Sequence, residues 1–285
     1  MKEAIETSEV DLAEESAGKE LNLADILGRK LFYTFDTVKG VIAFTLISLT
    51  VLIKKFNRSK CVIHPLIAKQ IKLCGVSLVP IMTFISLAIG FLVVGQTITL
   101  LSRFGVKDFA GVLMVAIVVR ELGPIAAALI IMAKVGTTIV VELGTSRALG
   151  EVESLEALGI DPIHYFVVPR IVGVVLGAIS LTVYIVIFSL LSGYLFAFLQ
   201  EVPLQPSEYL RQIADTLLWS DFILVSIKAI GFGLIISIVC CYYGLAKPLN
   251  LKMISRSATS AIIQAVVGCV ALDVILIFIN FVVLG

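Results

Sequence analysis

Charge is scarce in this chain, and histidine and tryptophan are nearly absent. Only 15% of the 285 residues are Asp, Glu, Lys or Arg, and there are two histidines and one tryptophan. A soluble domain carries roughly 25% charged and roughly 45–50% apolar residues. Here 59% of residues are hydrophobic and the mean hydropathy is +1.07. That balance excludes most soluble enzymes, nucleic-acid binders and disordered proteins. His64 and His164 are too few and too scattered for a zinc centre. Cys61, Cys74, Cys240, Cys241 and Cys269 form no CxxC pair and sit in or beside apolar segments, where small buried hydrophobes are expected. The phosphate loop GxxxxGKS/T, the GxSxG elbow and the HExxH pair are all missing. The chain has no visible means of hydrolysing ATP, of covalent chemistry or of holding a metal or cofactor.

What the chain does have is apolar length. About 20 residues at ~1.5 Å each cross the ~30 Å of a bilayer core. Residues 78–101, 109–141, 165–199, 222–246 and 258–284 reach or exceed that length. The expected fold is an all-α polytopic membrane protein of five transmembrane helices. Residues 40–53 are free of charge but too short to span, and read as an interfacial or re-entrant elbow helix. Residues 57–77 mix Lys69 and Lys72 with Leu66, Ile67 and Ile71 at helical spacing, which predicts a basic amphipathic helix on an anionic leaflet. Residues 1–25 hold eight acids and two lysines and lack the pattern of a signal peptide. The organisation is therefore an acidic, disordered or weakly helical tail at 1–28, interfacial and amphipathic helices at 29–77, and a five-span domain at 78–285.

The distribution of Lys and Arg orients these spans. Eleven lie in the segment before the first span, the loop after the fourth and the 142–170 interlude, against Arg103, Lys107 and Arg211 on the other side. The expectation is a cytoplasmic N-terminus and a C-terminus on the opposite face.

Three features break the apolar pattern. Arg120 and Glu121 stand next to each other inside the second run, followed by Gly123 and Pro124. Adjacent charges in hydrocarbon need partners or water, and proline removes a backbone donor. This predicts a kinked or broken helix, with the two charges facing a cavity or pairing at the kink. Lys134, Lys228 and Asp273 are further intramembrane polar residues. Lys134 can snorkel, whereas Asp273 lies near the middle of the last run and needs a partner such as Lys228 or Lys134. Finally, Val152, Leu155, Ala157 and Leu158 form one side of a two-turn helix whose other side carries Glu151, Glu153 and Glu156. Gly159 suits its C-terminus, and Asp161-Pro162 suits the start of the next helix. Lying outside the membrane, this helix has nowhere in its own chain to bury its apolar side, so it is expected to couple the chain to a cytoplasmic partner.

Taken together these segments resemble the MlaE/YrbE family of permeases, the membrane subunits of ABC transporters linked to MCE-domain proteins. The resemblance rests on Arg120-Glu121-Leu122-Gly123-Pro124, on Glu142-Leu143-Gly144-Thr145, on Glu156-Ala157-Leu158-Gly159-Ile160-Asp161-Pro162 and on Val167-Val168-Pro169-Arg170. Gly244 and Leu272-Asp273 add to it, and it runs from about residue 30 to the end. It implies a phospholipid transporter permease of a bacterial cell inner membrane, working as a homodimer. Two ABC ATPase subunits, which bind the ATP and Mg, would sit on the cytoplasmic side and an MCE-domain protein on the periplasmic side. Lipid would lie in a cavity lined by Leu87, Phe91, Val94 and Thr97 of the first span with Arg120, Glu121 and Leu122. The ATPase would grip the coupling helix through Arg147, Glu151, Leu155, Glu156 and Leu158. The rival reading is an ion-coupled secondary transporter of a lipophilic substrate, with Asp273, Glu121 and Lys228 as a proton relay.

Overall fold

A computed structural model describes residues 38–52, 60–105, 109–200, 205–245 and 253–284. The expected acidic tail at 1–28 lies outside these residues. The described residues are helical, with no strand among them. Five helices are long and apolar enough to cross a membrane: Pro65–Leu101, Gly111–Ala148, Ile163–Leu199, Trp219–Leu245 and Ile254–Val282. The first includes a 3₁₀ turn, Val76–Leu78. At ~1.5 Å per residue, each of the first three runs to roughly 55 Å, well beyond the ~30 Å of a hydrocarbon core.

The described residues divide between Ile47 and Ser48 into two units. The helix Val38–Leu52 is apolar but shorter than a span. It exposes Val38, Ile42, Leu46, Ile47 and Leu49, and Thr45 Oγ1 donates to the Val41 carbonyl at 2.7 Å.

Within the larger unit, the third span packs closely against the first. A Cβ on Gly193 would stand 2.2 Å from Val94, and one on Gly177 would stand 2.9 Å from the Cβ of Cys74. Such small-residue contacts let membrane helices approach and gain dispersion energy that burial from lipid does not supply. Val94, Ile98, Met114, Val115 and Val118 form a core with Tyr209 and Ile213 of the amphipathic helix Pro206–Thr216. The Tyr209 hydroxyl donates to the Leu190 carbonyl at 2.9 Å, and burial pushes its pKa above the usual phenolic range. Cys74, Cys240, Cys241 and Cys269 are free and buried, in line with their reading as small hydrophobes.

Among the described side chains of the helix Lys60–Cys74, Gln70 and Cys74 are buried where they meet Gly173 and Gly177 of the third span, while Ile71 is exposed. Two local expectations are corrected. The second span does not break at Pro124. A π-helical stretch, Val115–Leu122, runs into the α-helix Gly123–Ile131, and the Gly123 amide donates to the Val118 carbonyl. This wide turn absorbs the proline without ending the helix. Lastly, the loop helix Glu151–Ala157 does bury part of its apolar side in its own chain: Val152 is buried and Leu155 half-buried.

The caps read from the sequence are present. Gly159 has φ +75°, its amide donates to Glu156 and the Ile160 amide reaches back to the Leu155 carbonyl at 2.9 Å. That pair of bonds is the Schellman arrangement, which needs a left-handed residue where glycine carries no Cβ penalty. Asp161 Oδ1 accepts the Ile163 amide at 3.0 Å, capping the next helix behind Pro162.

Candidate functional site

Arg120 and Glu121 do not pair with each other. Each turns to a different residue of the fourth span. Arg120 Nε lies 2.8 Å from Asp221 Oδ1, and its Nη2 donates to Oδ2 at 3.2 Å. Asp221 is held in place by its own helix start, where Oδ2 also accepts the Leu218 amide at 3.0 Å. Glu121 Oε2 accepts from Lys228 Nζ at 2.7 Å.

Lys228 has no exposed surface. Its ammonium donates to Glu121 Oε2 and to the backbone carbonyl of Arg120 at 3.1 Å, and forms an ion pair with Asp273 Oδ1 at 2.8 Å. The contact with the Arg120 carbonyl has a local cause. In a regular α-helix the carbonyl of residue 120 accepts from the amide of residue 124, which here is proline and has no N–H. The lysine donates to a carbonyl that the proline leaves without its α-helical donor. The three groups suggested for a relay are thus in contact, and Asp273 finds Lys228 rather than Lys134. Lys134 is exposed, and its ammonium lies 3.5 Å from the Ser77 carbonyl.

Asp221 is the member of this cluster that the sequence reading missed. It lies seven residues before Lys228, two turns along one helix face, and that spacing was the available signal. Glu142 and Arg170 form a second pair at 2.9 Å across the loop between the second and third spans. The nearly buried guanidinium also donates to the Phe166 carbonyl at 2.9 Å.

The remaining expected cavity residues are spread over more than one face. Leu87 is exposed, and Phe91 is half-buried with its ring edge-on to Phe196 at 5.4 Å. Thr97 and Leu122 are half-buried, and Thr97 Oγ1 bonds its own backbone at Val93. Val94 is wholly buried in the core described above. Around the loop helix, Glu151 and Glu156 are exposed, Arg147 is half-buried, and Leu149 and Leu158 are 64% and 74% exposed. Leu149, Glu151, Ser154, Leu155, Leu158, Tyr165 and Phe166 line an open cleft there.

Five apolar crossings, an ionic cluster shared by three of them and an exposed loop helix define a polytopic helical membrane protein of the permease type. The chain belongs to the MlaE permease family, whose model, described as permease MlaE, matches residues 67–279. It is 30% identical over 250 residues to a probable ABC transporter permease protein of Rickettsia prowazekii, covering 86% of this chain and 92% of the relative. A probable ABC transporter permease protein of Rickettsia typhi is 28% identical over 245 residues, with the same coverage. The Arabidopsis thaliana protein TRIGALACTOSYLDIACYLGLYCEROL 1, chloroplastic, is 27% identical over 180 residues, 61% of this chain and 50% of that protein. The chain is therefore an ABC transporter permease, a class of membrane subunit that works with an ATPase partner.

Proposed function

We propose that two copies of this chain form a phospholipid permease of a bacterial inner membrane, passing lipid between that membrane and an MCE-domain protein on the periplasmic side. The N-terminus and the loop helix face the cytoplasm in this reading, and the C-terminus faces the periplasm. Lipid lies between the copies, against Leu87, Phe91 and Thr97 of the first span and the half-exposed side chains of Arg120, Glu121 and Leu122. The lipid-derived name of the chloroplast relative supports a lipid cargo.

Energy must come from outside the chain. Burying an acyl chain gains about 0.8 kcal/mol per CH₂ only relative to water, so lifting a lipid out of a bilayer into a protein cavity has little apolar driving force. ATP binding in the partner supplies it by moving the loop helix as a rigid body. The observation that carries this reading is the open cleft beside that helix, lined by exposed Leu149 and Leu158 with Glu151 at its edge. It suits a partner surface presenting an apolar side chain flanked by Lys or Arg.

Co-expression with the ATPase tests the reading. Leu155→Asp or Glu156→Lys should abolish ATPase copurification, and unchanged copurification counts against the coupling role. The contact of Lys228 with Glu121 and Asp273 keeps the ion-coupled alternative concrete. The purified chain moving lipid in liposomes under a proton gradient, without nucleotide, would decide for it.

A further inference from the structure

The third span does not open on regular helix. Ile163–Val167 is π-helical and runs into the α-helix Val168–Leu199, with the Val168 amide donating to the Ile163 carbonyl. A π turn interrupts the i→i+4 ladder and is a place where a helix bends. Phe166 of this turn lines the cleft beside the loop helix. A push delivered in the cleft therefore reaches the third span through a turn that can give way.

Arg170 braces that turn. Its Nη1 donates to the Phe166 carbonyl at 2.9 Å, and its guanidinium carbon lies 5.7 Å from the centre of the Phe166 ring. Its other arm, Nη2, reaches Glu142 Oε2 of the second span at 2.9 Å. One turn further on, a Cβ on Gly173 would stand 2.5 Å from the Cβ of Gln70 in the first span. Arg170 Nε and Gln70 Oε1 are both buried and have no partner among the described residues. One nearly buried planar cation thus ties the wall of the cleft to the second span, beside the point where the third span bears on the first.

We propose that Arg170 is the positioning residue that carries movement of the docked ATPase into the membrane spans. The inference rests on docking of the ATPase at the loop helix and names how motion leaves that site. With both arms bonded, the π turn cannot fold away from the α-helix behind it. A displacement of Phe166 then moves the third span, and Glu142 with it, as one body. The first span follows, because the contact of Gly173 with Gln70 leaves no slack. The unpaired Nε and Oε1 give the junction further bonds to make once the helices slide, the discrete alternative that a switching contact needs. Without the guanidinium the turn bends and absorbs the push. Lysine supplies the charge but not the planar fork that holds two acceptors at fixed angles.

The test uses the full chain assembled with its ATPase in lipid nanodiscs, with and without ATP and vanadate, read by hydrogen–deuterium exchange. In the unaltered complex the nucleotide should change exchange at residues 149–166 and at residues 65–78. Glu142→Gln/Arg170→Met removes the brace without stranding either charge. It should keep ATPase copurification and the response at 149–166, and lose the response at 65–78. A merely structural pair would shift exchange equally with and without nucleotide and leave the nucleotide-dependent change at 65–78 in place. That result, or no response at 65–78 in the unaltered complex, overturns the proposal. Loss of both responses in the variant with copurification intact also overturns it, by placing Arg170 in docking instead of transmission. Should the double variant fail to assemble, Arg170→Lys reads the same point: it should diminish the response at 65–78, and a full response overturns the brace. A response missing at 149–166 in the unaltered complex removes the docking reading, and this inference with it.

Discussion

Lys228 donates at 3.1 Å to the backbone carbonyl of Arg120, the group from which Pro124 withholds an amide. A side chain of the fourth span therefore donates to a carbonyl whose regular α-helical donor the proline removes. The same ammonium neutralises Glu121 and Asp273, so one buried cation joins three helices.

Lys228→Met should consequently be among the most damaging single changes. It leaves two carboxylates without a counter-ion, and breaking a buried pair costs about 3–5 kcal/mol. Thermal unfolding in detergent should show a large fall in Tm. Adding Asp273→Asn should recover part of it, and Pro124→Ala should recover about 1 kcal/mol more by restoring the amide that the Arg120 carbonyl lacks. If Pro124→Ala is neutral or harmful in the Lys228→Met background, the backbone contact is incidental.

The Arg120–Asp221 pair should show measurable coupling. Asp221 is buried and also ties down the Leu218 amide, while Arg120 is partly open to its surroundings. A double-mutant cycle of Arg120→Ala and Asp221→Ala is expected to give about 1–3 kcal/mol of interaction energy. Coupling near zero would mean that the pair is screened.

The pair between Glu142 and Arg170 is asymmetric, with side-chain exposures of 46% and 10%. Glu142→Gln strands a nearly buried guanidinium, whereas the converse change leaves a carboxylate that solvent can reach. Glu142→Gln should therefore lower Tm more than the double variant Glu142→Gln/Arg170→Met. The opposite order would show that Arg170 is sustained by the Phe166 carbonyl alone.

Two aspartate substitutions on one short helix should part company. Val152 is 6% exposed and Leu158 is 74% exposed. Val152→Asp buries an unpaired charge and should destabilise the chain itself. Leu158→Asp should leave Tm unchanged and abolish ATPase copurification. A Leu158→Asp chain that still brings down its ATPase would move the docking surface elsewhere.

Much of the fold was legible because its causes are local. Twenty or more apolar residues in succession can satisfy their backbone in a bilayer only as a helix, whatever surrounds them. Gly159 and Asp161-Pro162 ended and began helices where their own conformational preferences put them. The loop helix between the second and third spans followed from spacing alone. The resemblance carried by Arg120 to Pro124 and by Glu156 to Pro162 led to the family that the comparison then established.

The sequence by itself determined where the chain crosses, where it turns and which charges would need partners. It could not determine the partners. Arg120 and Glu121 are neighbours, yet each pairs with a residue about a hundred positions away, because packing of the second span on the fourth places those groups closer than their shared helix does. Gln70 and Cys74 are buried because Gly173 and Gly177 on the third span open room at those two points. Pro124 follows a π-helical stretch without breaking the helix, and a lysine from another span donates to the carbonyl four residues before it. Hydrophobicity and capping act over a few residues and can be read along the chain; the balance of buried charge depends on distances that exist only once the helices have packed.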